Sequence, residues 1–234
     1  MKETTWIIDP HTGVLTVEGL NQADLKSLAA DLLPAGKQVN CARPIDVSPF
    51  RNSSRLKVPN EPLLRVYRIY HNSVVEGPGR RSVVQFSGCQ KFCKGCIAIE
   101  TWPIASGVEM TVSEVVDAIL GSEGDPRDGV TILGGEPFLQ PEGLLALVTA
   151  LKACDQHITL YSGYTLEELH SLPNPYIVSI LEHADILIDG PFIKELSYNA
   201  GEWNGSTNQH IIYNPSSCYQ GGRVNKFVTE QIKP

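Results

Sequence analysis

A chain of 234 residues with 42% hydrophobic and 19% charged residues has room for one well-packed domain of ordinary size plus a small appendage. Its formal net charge of -7 argues against a nucleic-acid partner, which would need a concentrated basic face. No apolar run is long enough to span a bilayer and no charged–apolar–small leader pattern opens the chain, so the expectation is a cytoplasmic protein with no membrane partner.

The first 36 residues read as a small α+β unit. Trp6-Ile-Ile and Val14-Leu-Thr-Val17 are strand-like and joined by a turn-rich connection, Asp9-Pro-His-Thr-Gly13. Asn21 can cap a helix with Leu25, Leu28, Ala29 and Leu32 on one face, and Pro34-Ala-Gly36 stops it. Periodicity then disappears to about Pro62, with prolines at 44, 49, 59 and 62, as in a linker or an extended wrapping segment. The expected organisation is an extension over 1–62 and a core domain over 63–234.

Strands and helices alternate after that point. Leu64–Tyr70 alternates like an edge strand with Tyr67 and Tyr70 as packing residues, Val75–Gly79 is a turn, and Ser82–Phe86 is a second strand. Thr111-Val-Ser-Glu114 is a capping box that opens a helix ending at Gly121. Strand Val130–Leu133, turn Gly134–Pro137 and a helix opened by Pro141 follow. His157–Tyr161 is a strand, Thr165–Glu168 a second capping box, and Ala184–Asp189 and Gln209–Tyr213 are the last strands. This order builds an α/β fold with a mostly parallel sheet and crossover helices. Functional groups in such sheets gather beyond the carboxyl ends of the strands. That rule puts Cys89–Cys96, Gly134–Pro137, Ser162-Gly163 and Asp189-Gly190 on one rim.

The densest chemistry lies in Cys89-Gln-Lys-Phe-Cys93-Lys-Gly-Cys96, a C-x3-C-x2-C run. Structural zinc takes four ligands, and an ordinary iron–sulfur cluster takes four cysteines. Three thiolates leave one position open, as a cluster that binds a substrate requires. The alternative is a zinc knuckle that borrows His71 or Cys41. Cys41, Cys154 and Cys218 are scattered and read as buried free thiols, so the six cysteines form no disulfide framework. Arg80-Arg81 reads as a contact to a small anion. His157 and His210 read as satisfied core histidines, and Trp203–Gln209 as a partner-contact loop or a plain surface loop. The two glycines of Gly134-Gly-Glu-Pro137 would let a ligand approach the backbone closely.

Together these motifs resemble the radical S-adenosylmethionine (SAM) superfamily, and more closely the activating enzymes of anaerobic ribonucleotide reductase. The resemblance rests on Gly77-Pro-Gly79, Ser87-Gly-Cys89, Gly95-Cys96, Thr101-Trp102, Gly134–Pro137, Ser162-Gly-Tyr164, Asp189-Gly-Pro-Phe192 and Trp203-Asn-Gly-Ser-Thr-Asn-Gln209, in the family's order. It implies a partial (βα) barrel and a 4Fe–4S cluster held by Cys89, Cys93 and Cys96. It also implies SAM bound among Gly95, Cys96, Ile97, Gly134, Gly135, Glu136, Tyr161, Ser162, Gly163 and Asp189. No catalytic side chain beyond cluster and SAM is implied. Reductive cleavage would yield a 5′-deoxyadenosyl radical that installs a glycyl radical on an anaerobic ribonucleotide reductase, with a flavodoxin- or ferredoxin-type electron donor. The alternatives are direct modification of a peptide or small molecule, with residues 1–36 as a recognition unit, and a non-enzymatic zinc module. Three features depart from the family: Ile97 replaces an aromatic residue, Glu76 replaces an asparagine, and the compact activases lack the first 60-odd residues.

Overall fold

The structure, a computed structural model, describes residues 5–8, 15–18, 61–121, 127–220 and 223–224. The chain divides into two compact units, Met1–Cys41 and Ala42–Pro234. In the first, β1 (Thr5–Ile8) and β2 (Leu15–Glu18) pair antiparallel, with Thr5 opposite Glu18 and Ile8 opposite Leu15. The helix expected after Asn21, most of the proline-spaced stretch and Cys41 lie outside the described residues.

The second unit is built on a seven-stranded mixed sheet. Its strands are β3 (Leu63–Ser73), β4 (Arg81–Phe86), β5 (Val108–Thr111), β6 (Gly129–Gly134), β7 (Ile158–Tyr161), β8 (Ile186–Asp189) and β9 (His210–Tyr213), in the order β5-β3-β4-β6-β7-β8-β9. The middle strands β4, β6, β7 and β8 are parallel, whereas β3 with its neighbours and β9 with β8 pair antiparallel. Tyr219–Gln220 and Arg223–Val224 form a separate small hairpin.

Each parallel step needs a crossover, and the helices provide it. Helix α1 (Val112–Leu120) lies between β4 and β6, and α2 (Pro141–Ala153) between β6 and β7. Helices α3 (Leu166–Ser171) and α4 (Tyr176–His183) lie between β7 and β8. Both expected capping boxes form. Thr111 and Thr165 accept from the amides of Glu114 and Glu168, whose side chains return to the cap amides. Three features were absent from the sequence reading: α4, the Tyr219–Gln220 and Arg223–Val224 hairpin, and β5, which the capping-box threonine Thr111 closes. Because β5 pairs with Leu63–Val66, β3 is an interior strand and not the edge that Tyr67 and Tyr70 suggested.

The period-two alternation sorts the sheet's faces. Val84, Phe86, Val130, Ile132, Ile158, Leu160 and Leu187 join Leu144, Leu147, Leu151, Ile177 and Leu181 of the helices in one apolar core. The alternate residues Arg81, Thr131 and Thr159 meet on the opposite face. Arg81, read from the sequence as a contact to a small anion, is fully buried, and its donors go to oxygens of the protein itself. Its guanidinium donates to Thr131 Oγ1 (3.0 Å), Thr159 Oγ1 (3.0 Å), Val130 O (2.6 Å) and His157 O (3.0 Å), and lies 3.2 Å from His157 Nδ1. Burial lowers its pKa to about 10, which still leaves it charged at neutral pH. Beside it, the Glu76 carboxylate accepts from Tyr70 Oη (2.9 Å) and Ser73 Oγ, and its carbonyl accepts from Thr131 Oγ1 (2.6 Å). The unusual glutamate thus pins the turn that leads into β4.

Arg81→Met should strand those acceptors in the interior and lower stability by roughly 3 kcal/mol. The reading is a lower urea midpoint at unchanged slope. A midpoint equal to that of the parent would show that the guanidinium contributes nothing net.

Candidate metal and cofactor site

The loop after β4 carries all three clustered cysteines, each half-buried and with a free thiol. Three residues turn the chain with positive φ, Gly88 at 95°, Phe92 at 45° and Gly95 at 77°. The turn aims the amides of Lys91 and Phe92 at the Cys89 sulfur, and the Ala98 amide lies 3.4 Å from Cys96 Sγ. Burial pushes the Cys89 thiol up, while those two amides pull it down. Amides aimed at sulfur stabilise a thiolate, so this donor set fits a thiolate-bound metal group.

The loop suits a cluster better than one ion. Among the described residues, no three His, Cys, Asp or Glu side chains converge closely enough to hold a single metal ion. A 4Fe–4S cluster offers a separate iron to each thiolate, so its ligands need not meet at a point. His71 is not at hand to complete a zinc site. It is buried beside Ser82 at the start of β4 (Nδ1 to Oγ, 2.8 Å), the opposite end of that strand from the cysteine loop.

The cysteine loop is joined to the loop after β6 through main-chain atoms. The Gly135 amide donates to Phe86 O (2.9 Å) and the Glu136 amide to Gly88 O (2.8 Å). A side chain at Gly135 would put its Cβ 2.2 Å from Gly88 O. Gly134 has φ 123°, and a Cβ there would lie 2.3 Å from the Phe86 amide nitrogen and carbonyl oxygen. The two glycines thus let β6 and its outgoing loop lie close against Phe86 at the end of β4 and Gly88 in the cysteine loop.

Glu136 extends the join. Its fully buried carboxylate accepts from the Gly163 amide (2.7 Å), Ser162 Oγ (3.0 Å) and the Phe138 amide (3.2 Å). Burial pushes its pKa up to about 7 despite these three donors and the nearby Lys91. Ser162 in turn donates its amide to Ile188 O (2.9 Å). Asp189 accepts from the Leu166 amide (2.6 Å) and shares a hydrogen bond with His210 Nδ1 (2.9 Å). The four strand-end segments therefore line one rim in the order β4, β6, β7, β8.

The remaining residues complete the picture. Ile97 is exposed, and Gly95 turns beside the Lys194 stem. Tyr161 donates its hydroxyl to Trp203 O (2.8 Å), and burial raises its pKa. The stretch from Trp203 to Gln209 is anchored: Gln209 accepts from Gly205 and Ser206 amides and donates to Gly190 O, and Asn208 donates to Pro191 O. His210 is exposed, not a core histidine, and Cys154 is exposed while Cys218 is buried.

The model of the 4Fe-4S single cluster domain matches residues 75–212, more than half of the chain. Relatives named anaerobic ribonucleoside-triphosphate reductase-activating protein match it as well. The Vibrio cholerae protein is 38% identical over 156 residues, covering 63% of this chain and 97% of that protein. The Escherichia coli K12 protein is 31% identical over the same length and shares. The phage T4 protein is 31% identical over 157 residues, covering 65% of this chain and 96% of that protein. The chain belongs to this activating-protein family. The matched residues 75–212 run from the turn before β4 into β9, so they contain the whole rim.

Gly135→Ala should force the two loops apart and cost roughly 2 kcal/mol, with reduced iron uptake on reconstitution. Gly163→Ala meets the flexible Lys91 stem at 3.1 Å and Glu136 Oε2 at 3.4 Å, an ordinary contact, and should be tolerated. Equal stability and iron content for Gly135→Ala and the parent would refute the main-chain join. A separate test concerns His71, whose pKa is lowered from 6.5 to about 4 by burial and then by Arg127. The unfolded chain binds this proton more tightly, so stability should rise with pH between about 4 and 6.5, and His71→Gln should flatten that rise. An unchanged pH profile of the urea midpoint would count against it.

Proposed function

We propose that this protein is a radical SAM enzyme with a 4Fe–4S cluster on Cys89, Cys93 and Cys96. The observation that carries the reading is the rim itself, where the three-thiol loop is spliced to Gly135 and Glu136 and through Glu136 to Ser162 and Gly163. Three thiolates leave one iron without a protein ligand, and SAM is the group that would take it. When bound, cluster and SAM supply reductive cleavage of the sulfonium and a carbon radical able to abstract hydrogen. The chain's own residues hold and orient these groups. Gly95, Cys96, Ile97, Gly134, Gly135, Glu136, Tyr161, Ser162, Gly163 and Asp189 line the rim on which SAM would lie, and no side-chain acid or base is assigned to the reaction.

The acceptor in this reading is a glycyl-radical enzyme, an anaerobic ribonucleotide reductase. The relatives' name supports that assignment, and a flavodoxin- or ferredoxin-type protein would deliver the electron. The parallel β4-β6-β7-β8 run with helices over one face supports a partial (βα) barrel of the radical SAM type over residues 63–234, with 1–62 as an extension. A cytoplasmic location fits this chemistry. Among the described residues, no helix is long and apolar enough to cross a membrane.

Anaerobic reconstitution with iron, sulfide and reductant, followed by assay for 5′-deoxyadenosine, tests the proposal. Replacing any one of Cys89, Cys93 or Cys96 by Ala should abolish SAM cleavage, while Cys154→Ala and Cys218→Ala should leave the cluster's visible absorption intact. A chain beginning at Glu61, which keeps that side chain on the Ser113 amide (2.6 Å), should still cleave SAM. Zinc bound at one equivalent without sulfide would overturn the assignment, and full cleavage by a cysteine-loop variant would overturn the ligand set.

A further inference from the structure

Thr101 and Trp102 run alongside the start of the cysteine loop. The Gly88 amide donates to Thr101 O (2.7 Å) and the Cys89 amide to Trp102 O (3.0 Å). The indole ring meets the ring of Phe92 edge-on, with centroids 5.2 Å apart and planes at 80°. Phe92 directly precedes Cys93, and its amide is one of the two aimed at the Cys89 sulfur. The indole is therefore fixed from two sides, by residues adjoining two of the three thiols.

Its Nε1 is buried and has no hydrogen-bond partner. An indole N–H is a donor only, and leaving such a group buried and unmade costs on the order of 1–3 kcal/mol. Four carbonyls of its own segment are already engaged. Ala98 O accepts from the Thr101 amide and hydroxyl, Ile99 O from the Trp102 amide, and Thr101 O and Trp102 O from the cysteine loop. What the indole lacks is an acceptor, and the group expected at this loop brings sulfur atoms that accept.

We propose that Trp102 Nε1 donates a hydrogen bond to a sulfur of the bound 4Fe–4S cluster, either a cysteine thiolate or an inorganic sulfide. This rests on the cluster reading given above. Reduction places an added electron on iron and sulfur, and a donor to sulfur stabilises that more negative state more than the oxidised one. Trp102 therefore raises the cluster's reduction potential. It also couples that potential to the packing of the turn 99–101, which positions the ring.

The test compares the reconstituted full-length parent, Trp102→Phe, and a variant with benzothienylalanine at 102, which keeps the bicyclic shape and loses the N–H. Midpoint potentials are read by EPR-monitored titration without SAM. Both variants should titrate at more negative potential than the parent. Resonance Raman spectra in H2O and D2O supply the second reading. The parent's iron–sulfur modes should shift on exchange by more than those of either variant. A shift in the terminal modes identifies a thiolate acceptor and one in the bridging modes a sulfide. Equal potentials and equal deuterium shifts in all three proteins, each with an assembled cluster, would overturn the hydrogen bond alone. A parent that takes up no iron and sulfide would overturn the cluster reading and this inference with it.

Discussion

The site depends on one close approach, the backbone of Gly135 against the backbone of Gly88. Two parallel strands such as β4 and β6 end side by side, but their outgoing loops ordinarily diverge toward different crossover helices. Here the ladder continues past the strands, through Gly135 N to Phe86 O and Glu136 N to Gly88 O. No side chain fits at 135, where a Cβ would lie 2.2 Å from the Gly88 carbonyl. The glycine pair is thus a structural condition for placing three thiols at a fixed height above the sheet. From there Glu136 carries the same constraint sideways to Ser162 and Gly163.

The opposite end of the sheet solves a different problem. Arg81 sits where β4 begins, surrounded by Thr131, Thr159 and carbonyls of β6 and β7, with no carboxylate in salt-bridge contact among the described residues. A guanidinium has a planar fork of donors, and neutral oxygens arranged around it replace most of the water it loses. The result fastens three parallel strands at their amino ends. Gly77 and Gly129 belong to the same arrangement, because a Cβ at either would meet Arg81 or its threonine partners. The Gly-Pro-Gly turn, part of the sequence resemblance, therefore packs over a polar plug at the far end of β4 from the cysteines.

Much of this was legible because strands and caps have local signatures. The apolar strand Val130–Leu133 and the starts marked by the two Thr-x-x-Glu boxes lie within a residue or two of their elements. The rim was legible as well, since β–α alternation forces the carboxyl ends of parallel strands to one side. What escaped depends on tertiary partners. β5 is four residues long, and nothing local in Val-Glu-Met-Thr distinguishes it from the approach to a helix. Arg81 reads as a contact to a small anion until the threonines at 131 and 159 are brought beside it. The same limit applies to Gly135, whose need for a bare Cα comes from Gly88, forty-seven residues away in the chain.

The buried carboxylates of the rim bear on what chemistry the protein itself can perform. Glu136 is held by two amides and a hydroxyl, and Asp189 by one amide and His210. Each is a bracing group whose oxygens already have donors, so neither is free to relay a proton without loosening the loops that it joins. Releasing Glu136 would free the segment at 162–163, and releasing Asp189 would leave the Leu166 amide of α3 without its acceptor. The thiols of the cysteine loop stand apart from that bracing. The sulfurs of Cys89 and Cys96 receive main-chain amides but tie no second loop in place, so they can bind metal without dismantling the scaffold. A site arranged in this way keeps its own acids as structure and leaves the reactive steps to whatever the three sulfurs hold.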